Sequence, residues 1–342
     1  MNNLLDPAIL FFVFGALAGL VKSNLEISPP IARFLSLYLL MALGLKGGFA
    51  LAKSGLTPSV ALNLTCAVLL AVAVPAISYK LLRRFINGFD AAAVAATYGS
   101  VSAVTFITAV QTLESRGVDY GGHMAAAMAL MESPAIIMAV VLANLLRRQA
   151  AQRGELPTTH SEDGSHTPAS AAAGAAAQRL PLGKVLHESF TDGAQLLLLG
   201  AMGVGLISGE AGAAAMKPFS GDLFKGMLAF FLLDMGLMTA RHLGKLKGIS
   251  PWLLGYGVLA PLVHASMALL LALATGMSPG NGALLMVLAA SASYIAVPAV
   301  LRHALPEAQP SLYFGMSLGI TFPFNILLGI PLYLGIAQRV LD

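Results

Sequence analysis

The feature that most limits what this chain can fold into is a succession of unbroken apolar runs, each close to the thickness of a bilayer. A membrane span needs about 20 apolar residues, because the hydrocarbon core is roughly 30 Å thick and a helix rises about 1.5 Å per residue. Ten runs fit or approach that length. They are 8–22, 31–53, 59–81, 90–111 and 122–146, then 194–209, 222–240, 252–275, 281–301 and 311–338. The runs are continuous and rich in Leu, Ala, Gly and Met rather than alternating, so helices are expected and a strand barrel is not. Only 11% of the residues are charged, against the about 25% typical of a water-facing surface. The outer surface must face lipid. The first run, Pro7 to Val21, has no basic stretch before it and no small-residue cleavage site, and reads as a retained helix.

The net charge of +4 is accounted for by basic loops and calls for no nucleic-acid partner. Lys80, Arg83 and Arg84 follow the third run, and Arg147 and Arg148 the fifth. Arg241, Lys245 and Lys247 follow the seventh, and Arg302 and His303 the ninth. Placing all of these in the cytoplasm gives a consistent multi-pass topology in the plasma (inner) membrane with both termini outside. Residues 147–185 lose the apolar pattern and read as a cytoplasmic hydrophilic linker between halves 1–146 and 186–342. The one cysteine, Cys66, lies within an apolar run, so no disulfide framework is expected.

The halves resemble each other. Leu43, Gly44 and Leu45 match Met235, Gly236 and Leu237 at an offset of 192 residues. The stretch from Gly99 to Ser102 falls opposite Ser291 to Tyr294 at the same offset, and Pro134 opposite Pro323 at 189. Each half holds five spans, an odd number, so the second repeat is expected to be inverted, as in many secondary transporters. The expected fold is therefore all-α, with ten transmembrane helices in two inverted five-helix repeats.

Runs four and nine carry small hydroxyl residues near their middle, with Gly99 in one and Pro298 in the other. A helix broken there leaves free N–H groups and a positive dipole end facing the gap. Two such ends facing one another make an anion site. The candidate substrate-binding residues are Gly99, Ser100, Ser102, Thr105, Ser291, Ser293 and Tyr294. Small residues also let membrane helices pack closely, which is the competing explanation. For a coupling cation, Glu132 and Ser133 beside Pro134, with Thr321 and Asn325 in the other half, offer oxygen ligands. Lys46 and Asp234, the other intramembrane charges, are expected to pair, and His264 to be hydrogen-bonded within the bundle. There is no phosphate loop, metal-ligand histidine pair or nucleophile elbow, so no enzyme is expected.

With those residues in view, the chain resembles the SbtA family of sodium-dependent bicarbonate transporters over nearly its whole length. The resemblance runs through Gly44 to Gly48, Gly99 to Ser102, Thr112 to Glu114, Met131 to Pro134, Ala289 to Ser293, Leu301 and Arg302, and Ile330 to Gln338. It implies a homotrimer of elevator-type subunits, with spans one, two, six and seven as a fixed scaffold. The moving core would carry bicarbonate between the broken helices, with sodium beside it, and a PII-like protein is an implied cytoplasmic partner. The sequence departs from the family pattern at Ala103 and Val104, and at Tyr294 and Val297, where the family carries an aspartate and a glycine. The expected activity is import of a small inorganic anion in symport with sodium. Alternatives are another small anion, proton coupling through Glu132, or a membrane sensor with degenerate transport.

Overall fold

Proline and capping residues set the helix boundaries. In the computed structural model, which describes residues 6–152, 193–243 and 249–342, six helices begin on a proline. Its missing N–H is one the first turn leaves unbonded anyway. The helices are α1 (Pro7–Leu20), α2 (Pro29–Ser54), α3 (Pro58–Leu82), α4 (Gly88–Gly99), α5 (Ala103–Ser115), α6 (His123–Gln152), α7 (Gly193–Lys217) and α8 (Phe224–Leu243). They continue with α9 (Pro251–Thr275), α10 (Pro279–Ala290), α11 (Ala296–Ala304) and α12 (Pro310–Val340). Asp6 caps α1 by accepting from the Ala8 N–H at 2.9 Å, and Asn87 caps α4 from Asp90 at 2.8 Å.

Seven stretches among the described residues are long and apolar enough to cross a membrane, and Pro7–Leu20 and Pro279–Ala290 are shorter apolar helices. One of the seven, Gly193–Leu243, has 51 residues and would be about 75 Å long if straight. It is not straight: Gly209 takes a positive φ of 54° and Pro218–Asp222 is a π-helical turn before α8. Large apolar side chains such as Phe14, Ile207, Trp252 and Leu270 point outward, as a lipid-facing surface requires and a soluble one avoids. The protein is an all-α, multi-pass membrane protein.

Two helix pairs are fitted by glycine. α1 lies on α8, and α2 on α7. A Cβ on Gly15 would overlap the Leu233 carbonyl, and one on Gly236 the Phe12 carbonyl. Equally, a Cβ on Gly44 would overlap the Leu198 carbonyl, and one on Gly48 the Met202 carbonyl. Backbones that close leave no room for side chains, and packing rather than water drives such association in lipid. The remaining helices form a second group, in which α3 packs on α4 and α6, and α10 on α9 and α12.

One expectation needs correction. Lys46 does not pair with Asp234; its ammonium meets Glu114 at 2.9 Å, and Tyr120 donates to the same carboxylate at 2.9 Å. The Phe224 ring lies 4.2 Å from that ammonium, so α5, rather than α8, supplies the countercharge. α6 runs through Arg147 and Arg148 to Gln152, so the first residues of the expected linker continue that helix. The rest of the expected linker, with Lys245 and Lys247, lies outside the described residues.

Arg147 grips Glu307, in the loop between α11 and α12, with two bonds of 2.7 and 2.8 Å, and also donates to the Ala304 carbonyl at 2.9 Å. Burial works against the Glu307 charge, but the Arg147 hydrogen bonds and charge outweigh it and hold the carboxyl below its ordinary 4.5. A depressed carboxyl contributes stability above the unfolded pKa and loses it as pH falls through the folded value. Arg147→Gln should therefore lower unfolding stability by about 1 kcal/mol near neutrality. The difference from wild type should vanish well below pH 4.5, read from unfolding midpoints across pH.

Candidate ion-binding site

The fourth and ninth expected spans are broken. α4 ends at Gly99, where a Cβ would overlap the Pro75 ring of α3; the chain leaves the helix at Ser100 and re-enters at Ala103. α10 ends at Ala290 and α11 starts at Ala296. Pro298 stands not in this gap but in the first turn of α11, where no N–H is needed. The two gaps are joined: the Ser102 N–H donates to Ser291 Oγ at 3.0 Å, and the Ser293 N–H to the Thr97 carbonyl at 2.7 Å.

Each break caps its own second helix. Ser102 Oγ accepts from the Thr105 N–H at 3.3 Å, and Ser293 Oγ from the Val297 N–H at 3.4 Å. The first N–H groups of α5 and α11 have no acceptor within their helices and present partial positive charge at the breaks. Ser100 Oγ and Thr105 Oγ1 are fully buried without a hydrogen-bond partner. Buried hydroxyls left so are costly unless something else meets them.

A cavity of about 70 Å³ opens where these breaks face α2, α6 and α7. It is lined by Ser36 and Leu40, Val101 to Ala103, Met128, Ala129 and Glu132, Ala194, Gln195 and Leu198, and Ser293 to Ile295. One water needs about 10–15 Å³ of such space, so the cavity admits about five to seven water-sized atoms, the scale of a small anion. Tyr294 limits it: the buried ring packs edge-on against Phe322 at 5.2 Å, and its hydroxyl reaches Met235 Sδ at 3.4 Å.

The structure thus brings Ser102, Ser293, Tyr294 and Glu132 to one cavity, with Ser291 bridging the breaks behind it. Ser133 is buried on α6 beside Glu132. Thr321 and Asn325 are placed elsewhere. Thr321 donates to the Gly257 carbonyl at 2.7 Å, the very carbonyl that Pro261 leaves without its helical N–H. Its hydroxyl hydrogen is then engaged, so the 2.6 Å contact with Tyr98 runs from the Tyr98 hydroxyl to Thr321. Asn325 donates to the Ala290 carbonyl at 2.8 Å and accepts from Tyr333 at 3.1 Å, tying α12 to the end of α10. His264 is buried, with Ser78 3.5 Å from Nε2 and no partner on Nδ1. It is less well satisfied than expected.

Sequence reasoning missed two polar residues of the cavity. Gln195 donates to Glu132 Oε2 at 2.5 Å, and Ser36 lines the same wall. Each is an isolated polar residue near the start of an apolar run, and that isolation was the available signal.

A family model described as the Na+-dependent bicarbonate transporter superfamily matches residues 7–338. The chain belongs to that superfamily. The match spans both broken helices, the cavity and all twelve helices but a few terminal residues. A search of the curated proteins finds no match. Membership makes this member of the superfamily a transporter rather than an enzyme. Among its described residues, no three His, Cys, Asp or Glu side chains group closely enough to hold a metal ion.

Proposed function

We propose that the protein imports a small inorganic anion, bicarbonate foremost, together with sodium. The observation that carries this reading is the pair of cross-bonded helix breaks, Ser100–Ser102 and Ser291–Ile295, bordering a cavity sized for a few atoms. Helix N-termini and serine hydroxyls there offer donors to an anion with no intramembrane arginine. Glu132 in the same cavity would repel that anion when ionised. A cation bound at the carboxylate removes the repulsion, and this makes anion binding depend on the cation.

An inverted five-helix repeat, ten spans in all, accounts for the packing. Exchanging the halves exchanges the α1–α8 pair with the α7–α2 pair, and Gly44 with Gly236, each the glycine of a tight contact. α1, α2, α7 and α8 would be the fixed scaffold, and the breaks would travel with the other helices in an elevator movement. The homotrimer and the PII-like partner implied by the resemblance belong to the same reading, as do external termini and the plasma membrane.

Reconstituted in liposomes, the protein is expected to accumulate labelled bicarbonate only under an inward sodium gradient. Accumulation that follows a proton gradient and ignores sodium would assign Glu132 to proton coupling instead. No accumulation of bicarbonate or any other small anion under either gradient would sink the transport reading.

A further inference from the structure

We propose that the protein holds an anionic phospholipid where α3 ends beside the start of α9. The phosphate would lie among Lys80, Arg83 and Arg84, and the acyl chains along the outer face of α3. The inference goes beyond the transport reading and needs only that α3 and α9 cross the bilayer.

The outer face of α3 changes character along its length. Leu69, Val72, Ala76 and Ile77 are exposed and fall on one side of the helix. Lys80 continues that side, and Arg83 and Arg84 follow just past the helix end, all three exposed. Lipid tails satisfy the first group; an anion satisfies the second. The face therefore complements a molecule with apolar chains and a negative head, as anionic lipids complement basic segments at the end of a span.

The cations are open to such a headgroup. Among the described residues none of the three meets a carboxylate: the two ion pairs there belong to Lys46 and Arg147. Arg83 rests its guanidinium 5.8 Å from the Tyr79 ring centroid. Asp90, the nearest acidic residue along the chain, is buried and bonds the Asn87 amide and the Gln309 N–H instead.

A second wall comes from α9, which packs on α3. Phe85 and Trp252 stack at 5.4 Å and 19°, yet stay 51% and 71% exposed. Trp252, the only tryptophan, is the second residue of α9, so the stack fixes the start of α9 beside Arg84. Tryptophan at the end of a span sits at headgroup level. α9 also begins without a side-chain cap, and its first N–H groups add partial positive charge on the same side. Leu81 and Leu254, both exposed, extend apolar surface from the two helices into the bilayer.

The test follows the unfolding midpoint of the purified full chain in neutral detergent as dioleoyl phosphatidylglycerol or phosphatidylcholine is added. Phosphatidylglycerol should raise the midpoint saturably, and phosphatidylcholine should not. Arg84→Gln and Lys80→Gln should each raise the phosphatidylglycerol half-saturation about fivefold, the effect of one basic side chain at an anionic surface. Trp252→Ala should raise it about threefold. All three side chains are exposed, so the variants keep the fold; Lys53→Gln, at an exposed lysine near the far end of α3, should bind as wild type. An unchanged half-saturation in Arg84→Gln, or an equal loss in Lys53→Gln, would mean that overall charge holds the lipid, and would overturn the inference. Equal protection by inorganic phosphate would assign the basic residues to a free anion and overturn it too, as would a wild-type midpoint that phosphatidylglycerol leaves unmoved. Ion uptake in liposomes is decided separately, so each of these results leaves the transport reading standing.

Discussion

Ser102→Leu is expected to reduce anion uptake about a hundredfold or more while the protein still folds and remains in the membrane. Ser102 lines the cavity, and leucine would put three carbons where the serine hydroxyl stands, at the wall of a space of about 70 Å³. Forcing a ligand against such a side chain costs about 3 kcal/mol, which is about a hundredfold in occupancy. The fold should lose far less. The bond across the breaks uses the Ser102 backbone N–H, which leucine keeps, and only the cap on Thr105 disappears. That cap is worth about 1 kcal/mol. Ser102→Thr keeps the hydroxyl cap and should retain much more uptake than leucine. The measurements are bicarbonate uptake and thermal unfolding in detergent. If leucine at this position transports at wild-type rate, the breaks serve packing alone.

The breaks were legible in the sequence for a simple reason. Gly99, Ser100, Ser102, Ser291 and Ser293 form polar or glycine interruptions within otherwise largely apolar runs, and a matching interruption 192 residues away makes coincidence a poor explanation. Helix starts were equally legible, since a proline can occupy the first turn but not the interior without loss. Side-chain partners across the bundle were not. Lys46 was expected to meet Asp234 because both stand in matching spans. Yet a side chain's neighbour depends on the rotation of its helix, and Gly44 and Gly48 turn the same α2 toward α7. Thr321 looked like a free hydroxyl until the Gly257 carbonyl, vacated by Pro261 in another helix, was found opposite it. Such matches join residues 64 positions apart and leave no local pattern.

Gly48→Ala and Gly203→Ala should move stability in opposite directions, although both replace a glycine within a helix of the α2–α7 pair. Alanine in place of glycine favours a helix by up to about 1 kcal/mol, and at Gly203 nothing lies within 4 Å of the added methyl. That substitution should raise the unfolding midpoint. At Gly48 the same methyl would overlap the Met202 carbonyl and come within 2.8 Å of the Gly205 Cα and Leu206 N. Backbone atoms cannot rotate away, so the helices must part along their length, and overpacking of that kind costs about 1–3 kcal/mol or more. The loss would exceed the helical gain, so Gly48→Ala should lower the midpoint that Gly203→Ala raises. Matching midpoints for the two variants would show that α2 and α7 are not seated on each other's backbone.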